Sequence, residues 1–259
     1  MMQEFWSLSV TSAKRLTLVL VIIFLSILLL ACETTGPASE GKAKFADDKK
    51  GVVLLYSERE EAGTPLFRSI MFINNKYLYL SDDRFPNDFL LFDREKQTIY
   101  SVTEANKTIF VIKPKEIKGD PPIEITYVEE SQPSSAIPAV SGHTATHYRF
   151  LANGKQCFDV VTLEKTFLPE AVAALKEYRQ VLAGEHASTV HAMPADTHEA
   201  CDLALNIYYA SKHLDTGLPL REWDQDGFLK FMVNYRLDVD FDQEKLKLPE
   251  GYSEFSVGE

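Results

Sequence analysis

The feature that most constrains the fold is a series of short runs rich in Val, Ile, Leu, Phe and Tyr between Gly51 and Ile112. Runs of this length and composition are typical of β-strands. Between them lie Asn74-Asn75 and the polar stretches 93–96 and 104–107, which favour tight turns. We therefore predict an antiparallel meander of successive hairpins, with strands at residues 52–56, 67–73, 77–80, 89–92, 98–102 and 108–112.

Several of these strands are apolar at consecutive positions, as in Met71-Phe72-Ile73. A strand with one hydrated face would alternate between apolar and polar residues instead. We therefore expect both faces of the sheet to be covered. The sequence leaves open whether loops, a partner, a closed barrel interior or a bound apolar ligand covers the second face.

Further strands are predicted after the meander. Asn153-Gly154 is a strong signal for a hairpin turn, and Asp226-Gly227 is a second one. The apolar runs around these turns predict strands at 124–128, 147–151, 157–163, 218–223 and 228–241.

Two helices are predicted between the last two hairpins. From Leu168 to Leu182, apolar residues recur every three or four positions, which predicts an amphipathic helix that ends at Gly184. A second helix is predicted from residue 196 or 197 to about Leu214. The expected fold class is therefore α+β with a mostly antiparallel sheet.

The first 31 residues carry a different pattern. Lys14 and Arg15 precede an uncharged apolar run, residues 16–30. This pattern is typical of a secretory signal peptide, whereas a membrane-spanning helix needs about 20 apolar residues. We predict a signal peptide over 1–31, with a permanent membrane span as the alternative.

Residues 29–32, Leu-Leu-Ala-Cys, resemble the lipobox of bacterial lipoproteins. The resemblance implies cleavage before Cys32 and a lipid anchor on this cysteine. In the sorting scheme of enterobacterial lipoproteins, Glu33 at the next position implies the outer membrane, with the protein facing the periplasm. Residues 32–50 are predicted to be a flexible tether because they contain few large apolar side chains, and one folded domain is predicted over 51–259.

The chain has a formal net charge of −11, which becomes −12 when residues 1–31 are removed, since these contain Glu4, Lys14 and Arg15. A surface this acidic repels nucleic acids and anionic lipid headgroups. We therefore expect no nucleic-acid partner, and we expect membrane association to depend on the lipid anchor.

Cys157 and Cys201 remain once Cys32 is assigned to the anchor. An even pair of cysteines in an oxidising compartment usually forms a disulfide bond. The alternative is a reactive thiol that uses His147 or His198 as its base. We predict the disulfide.

The order of predicted elements is similar to that of the LolA and LolB type, the open-barrel superfamily of periplasmic lipoprotein carriers and their outer-membrane receptors. The resemblance covers about residues 51–252. It rests on the strand–turn–strand segment 89–102, on Leu-Pro-Leu-Arg at 218–221 and on Leu-Pro-Glu-Gly-Tyr at 248–252. It implies a strongly curved antiparallel sheet, an open or half barrel, capped by two helices around an apolar cavity for acyl chains, without catalytic residues or cofactors.

Recognisable catalytic motifs are absent from the sequence, which lacks Gly-x-Ser-x-Gly, a phosphate-binding glycine loop and Cys-x-x-Cys. His143 and His147 form a His-x-x-x-His pattern. On a strand, residues at this spacing lie about 13 Å apart, too far to bind one ion without a bulge. We therefore expect these histidines to be structural or exposed.

Two further groups of side chains could supply metal ligands. Soft and imidazole side chains in the loop between the predicted helices suit copper or zinc, but loop spacing is unspecific. An acidic alternation near the C-terminus lacks the glycine and glutamate of a calcium loop, so an exposed strand is expected. The first group is His186, His191, Met193 and His198, and the second is Asp238, Asp240 and Asp242.

Together these patterns predict a non-enzymatic envelope lipoprotein that binds a lipid or other hydrophobic ligand in an apolar pocket of a curved sheet. The alternative is an interaction or scaffold lipoprotein of the outer membrane, in which an envelope protein partner covers the second apolar face. An unrecognised hydrolase would require Ser, His and acidic residues brought together in a cleft, which the order of residues does not reveal.

Overall fold

The computed structural model of the chain describes residues 45, 47, 49–134, 137–190, 194 and 197–256. All of them belong to one unit, Lys42–Glu259. The predicted signal peptide, the lipid anchor on Cys32 and most of the tether lie outside the described residues, so the division at 31 and 50 stays a prediction. Phe45 is already part of the packed structure, because its backbone N–H and C=O bond the Asn75 side chain at 2.8 and 2.9 Å.

The described residues form one twelve-stranded sheet. Its order is β12-β6-β5-β4-β3-β2-β1-β11-β10-β9-β8-β7, and the two edge strands do not pair, so the sheet is not closed into a barrel. Neighbours are antiparallel except β12 and β6, which are parallel, so the sheet is mixed. The strands are β1 (Lys50–Arg59), β2 (Phe67–Ile73), β3 (Tyr77–Asp82), β4 (Phe89–Asp93), β5 (Thr98–Thr103), β6 (Thr108–Ile112), β7 (Tyr127–Pro133), β8 (Ala145–Ala152), β9 (Lys155–Leu163), β10 (Leu218–Trp223), β11 (Leu229–Asp240) and β12 (Ser253–Phe255).

The predicted meander over β1 to β6 is confirmed, and the turn residues explain its hairpins. The Asn74 carboxamide oxygen accepts hydrogen bonds from the backbone N–H of Lys76 and Tyr77 at 2.9 and 2.7 Å. Asn153 and Gly154 have φ of 51° and 77°, as a two-residue hairpin turn between β8 and β9 requires.

The two edge strands differ from the prediction. The strand expected at 124–128 lies at Tyr127–Pro133, and β12 was not predicted. β7 is mostly polar and exposed, so it lacks the apolar run used to recognise strands, and its position at the edge tolerates Pro133. β12 has only three residues, and its parallel pairing with β6 depends on a contact between distant parts of the chain.

Both predicted helices differ from expectation in length or regularity. α1 (Pro169–Val190) continues past Gly184. A Cβ at Gly184 would lie 2.2 Å from the Lys115 carbonyl oxygen, so this glycine allows close packing and does not end the helix. The second helix is broken into α2 (Ala200–Leu203), a π-helical turn (Ala204–Tyr208) and a 3₁₀ turn (Lys212–Asp215).

One face of the meander belongs to the larger core, which also contains α1. Val52, Leu54 and Tyr56 of β1 are in this core with Ala171 and Val181 of α1. The Arg94 guanidinium, on the turn after β4, also bonds the Glu177 carboxylate of α1 at 2.8 Å, and both side chains are mostly buried. These contacts attach α1 to the sheet.

The opposite face of β1 to β4 is covered by residues 241–252, here called the C-terminal segment. Phe241 stacks on Phe72 with ring centroids 4.3 Å apart. Leu246, in a 3₁₀ turn (Gln243–Leu246), packs with Val53 and Leu91 and is only 6% exposed. The chain itself therefore covers the second apolar face of these strands.

Candidate functional site

A cavity of about 400 Å³ lies between the helical segments and the sheet. We call it the helix–sheet cavity. Its volume lies within the range of small-molecule sites, roughly 300–1,000 Å³. The apolar part of its wall includes Met71, Leu80 and Phe158 of three strands, Leu175 and Leu182 of α1, and Leu205 of the π-helical turn.

Nine side chains with polar groups line this cavity, and Tyr178, Arg179, Asn206 and Asp224 are four of them. The other five are Tyr56, Glu58, His213, Glu222 and Lys230. We call them the polar cluster. They come from β1, the 3₁₀ turn, β10 and β11, which the β1–β11 and β10–β11 pairings bring together. The expected purely apolar pocket is therefore not what this cavity offers, because charged and apolar groups share its wall.

Lys230 makes the closest ionic contact in the polar cluster. Its Nζ lies 3.4 Å from Oε1 of Glu58, and both side chains are about 15% exposed, at 15% and 14%. The same Nζ lies 4.4 Å from the centroid of the Tyr56 ring, a distance suited to a cation–π contact. The Ser69 hydroxyl donates a further hydrogen bond to Glu58.

Glu222 faces His213, with Oε1 3.7 Å from Nε2, too long for a hydrogen bond. Burial lowers the pKa of His213 from 6.5 to about 3, and the positive charge of Arg179 adds to the lowering. The imidazole is therefore neutral at pH 7 and does not form an ion pair with Glu222. Burial raises the pKa of Glu222, and the positive charges of Lys230 and Arg179 oppose this.

Tyr56 supplies a hydroxyl that stays protonated. Burial raises the pKa of Tyr56 far above its usual range, and the nearby carboxylates of Glu222 and Glu58 add to the rise. The phenol is thus a hydrogen-bond donor or acceptor in the cavity at any physiological pH.

The irregular second helix forms one wall of the cavity. Arg179 of α1 donates to the backbone carbonyls of Leu205 and Ala210 at 3.4 and 3.3 Å. These carbonyls lie in and after the π-helical turn, where regular helical bonding is interrupted. Because π-helical turns are rare and are frequent at functional sites, this wall is a second indication of a binding site.

The predicted disulfide is confirmed: Cys157 and Cys201 are bonded, with an S–S distance of 2.03 Å and Cα atoms 5.3 Å apart. It joins β9 to α2, immediately before the π-helical turn that lines the cavity. Both sulfurs are in the bond, so neither acts as the free thiol of the alternative hypothesis.

His143 and His147 are held by different carboxylates, as expected for residues that do not share an ion. His143 Nδ1 lies 3.6 Å from Glu164, whereas His147 Nε2 lies 2.7 Å from the buried Asp159. His147 also stacks on Trp223 with centroids 5.2 Å apart. Both histidines therefore have structural partners.

The other candidate metal ligands do not form a metal site among the described residues. Within them, no group of three or more His, Cys, Asp or Glu side chains is arranged to hold a metal ion. His191 and Met193 lie outside the described residues, while His186 is exposed on α1. Asp238, Asp240 and Asp242 are exposed as predicted, and Asp242 caps the following 3₁₀ turn by accepting from the Glu244 N–H at 3.0 Å.

The polar cluster was not predicted from the sequence, although one signal for it is present. Val52, Leu54 and Tyr56 alternate along β1, and the next residue of this series is Glu58. Since alternate residues of a strand share a face, this alternation places a carboxylate on the core side of the sheet. Glu222 and Lys230 lacked a comparable signal, because their position depends on pairing between distant strands.

A second groove, also of about 400 Å³, is more apolar than the helix–sheet cavity. The loop before β8, β10 and β11 form it, through Ile137, Val140, Leu220, Leu229, Phe231 and Met232. We call it the β10–β11 groove. Among the described residues, no helix is both long and apolar enough to cross a membrane.

No family model and no curated protein sequence matches this chain. Among solved structures, an uncharacterised conserved protein from Thermus thermophilus aligns over 80% of this chain and 91% of that chain, with 7% identity and a TM-score of 0.38. Two crystal forms of PNGF-II align over 80% of this chain, with 10% and 12% identity and TM-scores of 0.39 and 0.36.

The aligned part is only 31% and 32% of the two PNGF-II chains. At TM-scores this low, these similarities support no conclusion about fold or activity. The resemblance to the LolA and LolB type stays a prediction.

Proposed function

We propose that this chain is a lipid-anchored protein of the bacterial cell envelope that binds a small amphiphilic molecule in the helix–sheet cavity without transforming it. The observation that carries the proposal is the cavity itself, in which apolar side chains and a few converging polar groups line about 400 Å³. This combination is characteristic of small-molecule binding sites.

The envelope location is proposed from the sequence. Residues 1–31 act as the signal peptide, Cys32 carries the lipid, and Glu33 directs the protein to the outer membrane, facing the periplasm. The Cys157–Cys201 disulfide supports an oxidising compartment, because such bonds are rare in the reducing cytosol. In this proposal the LolA-like element is a strongly curved sheet capped by the two helices, with the ligand between them.

The nature of the wall argues for an amphiphile over a purely apolar acyl chain. A hydrocarbon chain that filled the cavity would exclude water from the Glu222 carboxyl group, which accepts no hydrogen bond from the described residues, and burying an unsatisfied polar group is costly. A molecule with a polar and an apolar end avoids this cost. The β10–β11 groove offers apolar surface but no comparable cluster of buried polar groups.

The arrangement of Ser69 and His213 argues against a hydrolase. The Ser69 hydroxyl donates to Glu58, whereas His213 faces Glu222. A serine nucleophile needs a histidine within hydrogen-bond distance, and that histidine needs an acidic partner of its own. Ser69 and His213 are next to different carboxylates, so binding without catalysis is the better supported activity.

Native mass spectrometry tests the proposal. Residues 42–259, which contain every described core cluster, would be exported to the periplasm and purified without detergent. We expect a co-purifying small molecule, lost in Leu175→Trp, which fills the cavity, and retained in Val233→Trp, whose side chain replaces one that is 62% exposed. An empty protein, or a ligand retained by both variants, would contradict the proposal.

A further inference from the structure

The polar cluster contains one cation of the protein itself, the Lys230 ammonium group. Its contacts indicate which ligand chemistry the cluster favours. The Lys230 ammonium lies between the Glu58 carboxylate and the face of the Tyr56 ring. A carboxylate on one side and an aromatic face on the other is the usual environment of a recognised ammonium group. The Glu58 carboxylate and the Tyr56 ring therefore already contact a cation of the protein itself.

Among the described residues, no lysine or arginine forms an ion pair with Glu222, which also belongs to the polar cluster. Within the part of the chain that the structure describes, the neutral His213 is the one basic side chain within 4 Å of the Glu222 carboxylate, at 3.7 Å, although Lys230 is the register partner of Glu222 on β11. Both nearby cations have other partners: Lys230 pairs with Glu58, and Arg179 bonds two backbone carbonyls. Among the described residues, Glu222 is thus a mostly buried carboxyl group that lines the cavity without an ion-pair partner.

An anionic ligand fits this wall poorly. A fatty carboxylate beside Glu222 would place two carboxyl groups together, and like charges in a partly desolvated site repel strongly. A neutral alcohol can accept or donate one hydrogen bond at Glu222 but cannot balance its charge. An ammonium group does both.

We infer, on the basis of the proposed function, that the ligand is an alkylamine whose ammonium group binds Glu222 and whose carbon chain lies against Leu175, Leu182 and Leu205. Binding ionises Glu222 where it is protonated, and the released proton passes to the buffer. Because burial raises the pKa of Glu222, affinity for an amine should rise with pH as this carboxyl ionises.

Two further carboxyl groups, Glu58 and Asp224, line the same cavity, so Glu222→Gln is the variant that assigns the pH dependence, and the remaining neighbours do not contribute to it. His213 stays neutral above about pH 3, and the pKa of Tyr56 is raised far above its usual range. A pH dependence that Glu222→Gln abolishes would therefore identify Glu222 as its source.

Isothermal titration calorimetry of residues 42–259 tests this inference with three probes of equal chain length: hexylammonium, 1-hexanol and hexanoate. We expect hexylammonium to bind at least about 10-fold more tightly than 1-hexanol, since a hydrogen bond between charged groups is stronger than one made by a neutral alcohol. Glu222→Gln should remove this preference, while Glu250→Gln, at an exposed position, should keep it. Circular dichroism of Glu222→Gln checks that it folds.

Equal or tighter binding of 1-hexanol or hexanoate would overturn the amine inference. If none of the probes binds but native mass spectrometry finds a cavity-dependent ligand of another class, the amine inference fails and the proposed function stands. If neither experiment detects a ligand, both fail.

Discussion

Removal of the Cys157–Cys201 disulfide should destabilise the fold by about 4 kcal/mol. The bond closes a loop with a sequence separation of 44 residues. In the chain-entropy description, opening a loop of this length restores about 13 cal/mol/K to the unfolded chain, or roughly 4 kcal/mol at 25 °C. This is a large share of the 5–15 kcal/mol typical of whole domains.

The assay is urea denaturation of residues 42–259, comparing the oxidised protein with the double variant Cys157→Ser/Cys201→Ser. The oxidised protein in reductant should behave like the variant. Ligand affinity should also fall, because the bond holds α2 directly before the π-helical turn that lines the cavity. A loss of less than about 1 kcal/mol would refute this reasoning.

Three further perturbations test other parts of the account. The pKa of His213 is about 3 in the folded state, below its unfolded value of 6.5. Between these two pH values the unfolded chain therefore binds more protons than the folded protein. The free energy of unfolding should fall by roughly 4–5 kcal/mol as pH drops through this window. Urea titrations at pH 7 and pH 4 should show roughly 3–4 kcal/mol of this loss, because pH 4 lies inside the window. His213→Gln should reduce the loss, whereas Glu222, whose pKa is raised by burial, contributes a trend of the opposite sign that Glu222→Gln removes. Leu246→Ala should cost about 2–5 kcal/mol by uncovering the second apolar face, against less than about 0.5 for the exposed Leu237→Ala, and equal thermal shifts would refute this. Glycine to alanine within a helix normally stabilises by about 0.5–1 kcal/mol, but Gly184→Ala should destabilise because of the backbone carbonyl beside it, and a raised Tm would contradict that contact.

The sequence was most informative where structure depends on local chemistry. The meander could be predicted because turn residues such as Asn74 separate its apolar runs, and the β8–β9 hairpin could be predicted from Asn153 and Gly154. The disulfide could be predicted from the number of cysteines and the proposed compartment. These features depend on neighbouring residues or on composition, so no knowledge of the tertiary structure was needed.

The features that were missed depend on contacts between distant segments. The C-terminal segment covers the second face of β1 to β4 only because β11 pairs with β1. Gly184 looked like a helix end, since its contact with residue 115 cannot be seen in the sequence. The polar cluster likewise combines Glu58, Glu222 and Lys230 from three strands, and only the alternation along β1 hinted at one of them.

The central claim is that the helix–sheet cavity is the binding site, and methyl NMR tests it most directly. Residues 42–259 with ¹³C-labelled methyl groups would be titrated with hexylammonium. The account predicts saturable shifts and ligand contacts confined to the methyl groups of Met71, Leu80, Leu175, Leu182 and Leu205. Saturable shifts confined to the β10–β11 groove would contradict it, and the absence of saturable shifts would contradict the alkylamine inference.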